Sequence, residues 1–157
     1  YYLFTGKIGY IVEQHKKQDF LNLAVGLFGN LIATFLLGML LRTVLPNIGE
    51  RAAEMCSAKL AQFPLYSFIR GFFCGILMYL AVSIYKEKNS VLGVLFCVPV
   101  FILCGFEHSI ADMFYFGTSG IFDTKIIFFM ALIVAGNTLG AMVLPLLKGV
   151  HTNEKQG

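Results

Sequence analysis

The chain has 157 residues, of which 57% are hydrophobic, 15% aromatic and only 13% charged. Soluble domains average about 25% charged residues, and a soluble core of this length cannot hide so much apolar surface, so the solvent implied is lipid. A net charge of +3, with its cations dispersed, excludes a nucleic-acid-binding surface. The first stretch, residues 1–12, starts abruptly in apolar sequence with neither an initiator Met nor a signal-peptide pattern. An N-terminal portion is therefore expected to be missing. Residues 3–12 are too few to span a bilayer, which takes about 20 apolar residues, and read as half of a truncated or broken helix. Residues 20–41 carry no charge and stop at Arg42 and Pro46, giving the first full span. Residues 46–62 have mixed charge at helical spacing and suit an interfacial helix. Residues 63–85 form a second span with a single charge, Arg70, and residues 86–89 a tight polar turn. A third apolar run, 91–106, contains Pro99 and continues past Glu107, His108 and Asp112 to Phe116. A Gly/Ser/Thr loop follows at 117–124, then an uncharged span at 126–147 and a solvated tail at 149–157.

Lys16, Lys17, Lys86, Lys88, Lys148 and Lys155 fall on one side if the spans alternate, and Arg42, Arg51, Lys59 and Lys125 on the other. The excess of cations places the C-terminus in the cytoplasm. Gly71-xxx-Gly75 and Gly136-xxx-Gly140 have the small-residue spacing that lets membrane helices approach closely. A weak repeat relates Gly29-Asn30-Leu31 to Gly136-Asn137-Thr138, each mid-span and each preceded by a short segment with a polar break, Phe4-Thr5-Gly6 and Glu107-His108-Ser109. Matched breaks in two halves point to a transport site near the bilayer midplane. The four cysteines, Cys56, Cys74, Cys97 and Cys104, form no Cys-x-x-Cys pair and read as buried thiols packing as small hydrophobes.

The segment 104–112 carries most of the chemistry. Glu107, His108 and Asp112 are ionisable groups in an otherwise apolar run, each costing at least about 2.5 kcal/mol at membrane depth, so they face a protein interior or a water-filled path. Gly105 permits a helix break, and the N–H groups of a broken helix bind anions. His108 is the side chain here that titrates near neutral pH; the alternative is a structural, hydrogen-bonded histidine. Glu107 is expected to pair with Arg70 or to accept backbone N–H groups at the break, and Asp112 to cap or anchor the second half-helix. Thr5, in the partner break, donates to an anion or caps a half-helix. Lys59, just before a span, reads from chemistry alone as a lysine snorkelling to the interface. No phosphate-binding loop, metal-ligand spacing or nucleophile elbow occurs, so neither an enzyme nor a cofactor or metal is expected.

Gly105-Phe106-Glu107-His108-Ser109-Ile110-Ala111-Asp112-Met113 resembles the G-F-E-H-x-x-A-(N/D)-M signature of the formate/nitrite transporter family. Leu3-Phe4-Thr5-Gly6 resembles the family's L-F-T segment, and Gly136-Asn137 the Gly-Asn of its last helix. Within the family the resemblance is closest to the bacterial hydrosulfide ion channels. It implies an all-α integral membrane protein, an aquaporin-like helical bundle with broken helices and an inverted repeat, here lacking the N-terminal helices. Residues 1–148 would be the C-terminal part of one channel domain and 149–157 a cytoplasmic tail. The resemblance further implies a homopentamer in the bacterial inner membrane, conducting small monovalent anions of weak acids: hydrosulfide first, with formate or nitrite possible. His108 matches the central pore histidine, Thr5 the threonine that hydrogen-bonds toward it, and Asn137 the asparagine near it. Lys59 matches the lysine whose charge attracts anions, and Glu107 the glutamate bracing the break. Leu3 and Phe4 match one constriction and Phe101 the other. Formate and nitrite channels usually carry an asparagine where this chain has Gly75, a departure that favours a smaller anion. A neutral-solute pore of aquaporin type and a non-conducting structural membrane subunit are the alternative readings.

Overall fold

The computed structural model describes residues 8–9 and 17–154, with side chains for 8–9 and 18–148. Among the described residues it has six α-helices: α1 (Lys17–Val44), α2 (Pro46–Ala61), α3 (Pro64–Lys88), α4 (Leu92–Leu103), α5 (Ser109–Ser119) and α6 (Lys125–Glu154). Three stretches, Gln18–Val44, Pro64–Lys88 and Lys125–Lys148, are long and apolar enough to cross a membrane; Leu92–Leu103 is apolar but too short. The first, second and fourth apolar runs are thus single helices, and the third is split into α4 and α5.

Helix boundaries follow local chemistry. Pro46 and Pro64 occupy the first turns of α2 and α3, where a missing N–H costs nothing and a fixed φ favours the helix. The second span therefore starts at Pro64, and residues 60–61 belong to α2. The turn expected at 86–89 is largely the last turn of α3, which ends only at Asn89, a left-handed cap with φ 48°. The loop expected from 117 begins later, because α5 continues to Ser119 and is closed by Gly120 at φ 64°. At the other end of the chain, α6 runs through Gly149 to Glu154, into the segment expected to be a tail; it contains no proline there, and a single glycine costs a helix only about 1 kcal/mol.

Two glycine-mediated crossings hold the bundle. At α3 against α6, a Cβ on Gly75 would run into the Asn137 carbonyl and lie 2.9 Å from the Ala141 nitrogen. One on Gly140 would overlap the Phe72 carbonyl, and one on Gly136 would lie 2.6 Å from the Phe68 carbonyl. Both small-residue motifs are therefore used, each against the other. The second crossing, α1 against α5, uses isolated glycines without motif spacing. A Cβ on Gly38 would meet the Phe114 carbonyl and lie 2.7 Å from the Thr118 nitrogen, and Gly117 lies against the Phe35 carbonyl. We expect Gly140→Ala to destabilise the protein by about 1–3 kcal/mol, the usual cost of forcing a methyl into packed backbone. Gly29→Ala, whose Cβ meets nothing within 4 Å, should instead leave stability unchanged or raise it by up to about 1 kcal/mol, the helix cost of a glycine. Unfolding in detergent compares the two.

Outward-facing apolar side chains, including Phe20, Phe28, Ile32, Leu36 and Leu40 on α1, suit contact with lipid. The amphipathic α2 instead turns Gly49, Ala52 and Cys56 inward, residues three and four apart on one helical face. That face brings Lys59, one turn further on, toward the break between α4 and α5.

Candidate functional site: the helix break at 104–108

Helix α4 stops at Leu103 in a Schellman motif. The Phe106 N–H donates to the Phe101 carbonyl (3.0 Å) and the Gly105 N–H to that of Ile102 (3.1 Å), with Gly105 left-handed at φ 64°. Glycine meets that φ without the Cβ penalty. The chain then turns extended at His108, the N-cap of α5. The Ala111 N–H donates to His108 Nδ1 at 3.3 Å, the N-cap-to-N3 bond usually made by Ser, Thr, Asp or Asn. Nδ1 is then the unprotonated nitrogen, which assigns the ring proton to Nε2. Phe101 stacks on this ring, with centroids 5.7 Å apart and planes at 30°. Helical periodicity alone would put residues 101 and 108 on one side of a single helix; here they meet across the break between two separate helices.

Asn137 of α6 ties the break together. It is fully buried; its Oδ1 accepts from the Ser109 N–H (2.9 Å), and its Nδ2 donates to the Gly71 and Glu107 carbonyls (2.9 Å each). Beneath the break lies an ion cluster. Lys59 Nζ pairs with Glu107 and lies 3.0 Å from Asp112 Oδ1. The carboxyl side chains are 1% and 2% exposed and the lysine 13%. Lys59 therefore points into the protein rather than snorkelling. Glu107 pairs with Lys59, not with Arg70, whose guanidinium bonds Gln62 at 2.9 Å on the exposed side. The expectation for Arg70 fails because its position on α3 faces outward, whereas α2 folds Lys59 back under the break.

The structure thus brings His108, Phe101, Glu107, Asn137 and Lys59 into one neighbourhood. Leu3, Phe4 and Thr5 lie outside the described residues. Two roles were not anticipated. Asp112, expected to cap or anchor the second half-helix, belongs to the ion cluster, and Arg42, expected only as the end of a span, donates from Nη1 to the Ser119 carbonyl at the C-terminus of α5, where a cation suits the helix dipole. Asp112 is four residues from His108, one turn into α5, so its side with Glu107 is set by the break and not by spacing. Of the cysteines, Cys56, Cys74 and Cys97 are buried as expected, but Cys104, at the end of α4, is exposed. Packing accounts for Gly75: any side chain there would enter the α3–α6 crossing.

A multi-span, all-helical membrane protein with a transport-type break, its two half-helices meeting at a polar cluster between spanning helices, is the class these features define. The model of the formate/nitrite transporter family matches residues 1–148, and the chain belongs to that family. Membership makes it a membrane protein for transport of small anions. A comparison with curated proteins finds no match.

Proposed function

We propose that this chain forms the pathway of a channel for small monovalent anions of weak acids, with hydrosulfide the first candidate and formate and nitrite the others. The observation that carries this reading is His108 as the N-cap of a half-helix that begins between spanning helices. A helix N-terminus carries a partial positive charge and favours anions. The Nε2–H of His108 supplies a hydrogen-bond donor beside it. An anion entering an apolar constriction loses its water hydrogen bonds at large cost; the half-helix and the imidazole N–H offset part of that loss. Phe101, stacked over His108, forms one wall of the constriction in this reading, and Leu3, Phe4 and Thr5 the approach from the other side. If His108 first takes a proton from the aqueous side at Nδ1, releasing the Ala111 N–H, the resulting imidazolium can pass a proton to the anion and return to neutral imidazole, leaving a neutral weak acid that crosses the apolar wall at lower cost.

Lys59, in our reading, acts through the break it holds and not as a free charge, since two carboxylates face it. Asn137 serves the pathway by fixing the turn on which His108 sits. We further propose a homopentamer in a bacterial inner membrane, with the C-terminus in the cytoplasm as the lysine bias suggests.

The test is initial flux of hydrosulfide, formate, nitrite and chloride into proteoliposomes at several pH values. Because Gly75 is accounted for by packing, the rank of hydrosulfide rests on this comparison. His108→Asn keeps an N-capping side chain but removes the titrating ring. We expect flux to fall roughly tenfold, equivalent to about 1.4 kcal/mol at the barrier, and to lose its pH dependence. Unchanged flux and pH profile would rule out a proton relay through His108. Flux indifferent to solute charge would favour a neutral-solute pore, and no flux from correctly inserted protein a structural subunit.

A further inference from the structure

We infer that the Lys59–Glu107–Asp112 cluster is a binding site for one exchangeable proton, held between the two carboxyl groups. Two observations carry it. Both carboxyl side chains contact the same ammonium, and both are almost fully buried. Like charges held this close in a buried site do not both ionise, and one proton shared by the pair relieves the repulsion. Finally, Asp112 Oδ2 is buried with no hydrogen-bond partner, which disfavours a full negative charge on that group.

Charge balance leads to the same place. Two carboxylates and one ammonium leave a net charge of −1, and a single proton brings the cluster to neutrality. Among the described side chains no second cation pairs with either carboxyl, although Lys125 at the start of α6 lines a small cavity together with Lys59. Cys56 and Lys59 face the cluster from α2, Cys74 from α3, and Glu107 from the break itself. Helix α1 has no titratable residue between Asp19 and Arg42, and α6 none between Lys125 and Lys148. His108 accepts at Nδ1 and so adds no positive charge.

The proton has a consequence for transport. With it bound, the ground beneath the α5 N-terminus is neutral, and the half-helix keeps its attraction for an anion. Without it, a buried negative charge sits next to His108 and opposes any anion there. The cluster is then an electrostatic valve that closes on the alkaline side. This consequence rests on the anion-pathway reading; the proton itself does not.

The experiment therefore has two arms. Infrared difference spectroscopy of the full chain in lipid nanodiscs, with carboxyl-13C aspartate and separately glutamate, should show a protonated-carboxyl C=O band at neutral pH. That band should shift on deuteration, shift with one of the labels, and vanish in Asp112→Asn. Because the labels report on the unmutated protein, misfolding of the variant does not blur the result. Absence of such a band, or a band indifferent to both labels, overturns the inference. So does a fully ionised pair accompanied by sodium-dependent thermal stability, which would make a metal cation the counter-ion. In the second arm, Asp112→Asn places a neutral amide where the proton is held and should flatten the alkaline fall of anion flux seen with the unmutated protein. A band without any flux leaves the proton site standing and removes only its role as a valve.

Discussion

Lys59→Ala is expected to lower stability by about 3–5 kcal/mol, the usual cost of removing one partner from a buried ion pair. The lysine is the cation shared by Glu107 and Asp112, whose side chains are 1% and 2% exposed. Its removal leaves a buried carboxylate without compensation. It also removes the link between α2 and the break, because Lys59 lies in the last turn of α2 while Glu107 precedes α5. Thermal or denaturant unfolding in detergent reads the loss. Glu107→Gln in the Lys59→Ala background should recover part of it, since the partner left behind is then neutral. This recovery separates an electrostatic cause from the lost packing of the lysine stem, which Glu107→Gln leaves unrepaired. A change below about 0.5 kcal/mol, the scale of an exposed pair, would mean that the lysine faces water.

The spans were legible because lipid imposes a simple rule on sequence: uncharged runs of sufficient length become helices. Residues 20–41, 63–85 and 126–147 obey it, and proline at the first turns of α2 and α3 tightened two of the boundaries. The break was legible too, since Glu107, His108 and Asp112 are too costly to leave facing lipid on a continuous helix, and Gly105 just ahead of them lets the chain turn. What sequence did not disclose was pairing across distance. Lys59 and Glu107 are 48 residues apart, and a lysine just ahead of a span is equally at home at the interface. Only the fold of α2 decides between the two. The α1–α5 crossing was hidden for the same reason. Gly38 and Gly117 form a contact surface together, but each stands alone in its own helix and leaves no spacing to detect. Gly75 shows the converse hazard: a small residue where the family resemblance leads one to expect an amide invites a substrate argument, while its immediate neighbours are the Asn137 carbonyl and the Ala141 nitrogen.

Asn137 offers the other large effect, because one amide satisfies three backbone groups at the break. Asn137→Ala would leave the Ser109 N–H and the carbonyls of Gly71 and Glu107 without this partner in a fully buried site. An unsatisfied buried group costs about 1–3 kcal/mol. The Gly71 carbonyl lies within helix α3 and keeps its helical bond, so the main losses are at Ser109 and Glu107, and we expect destabilisation of roughly 2–4 kcal/mol in all. Asn137→Asp discriminates further. A carboxylate still accepts from Ser109 but donates to neither carbonyl, and it adds a buried charge, so it should be no better than alanine. Hydrogen exchange locates the damage: protection should fall first at Ser109 and Ala111, where α5 is capped, before α3 or α6 opens. An asparagine that merely lined an anion path would behave differently. Its loss would change flux while leaving stability and exchange at the cap intact. The geometry favours the first outcome, since Oδ1 and both N–H groups of the amide are already committed to backbone, leaving the anion to meet His108 on a turn that Asn137 holds in place.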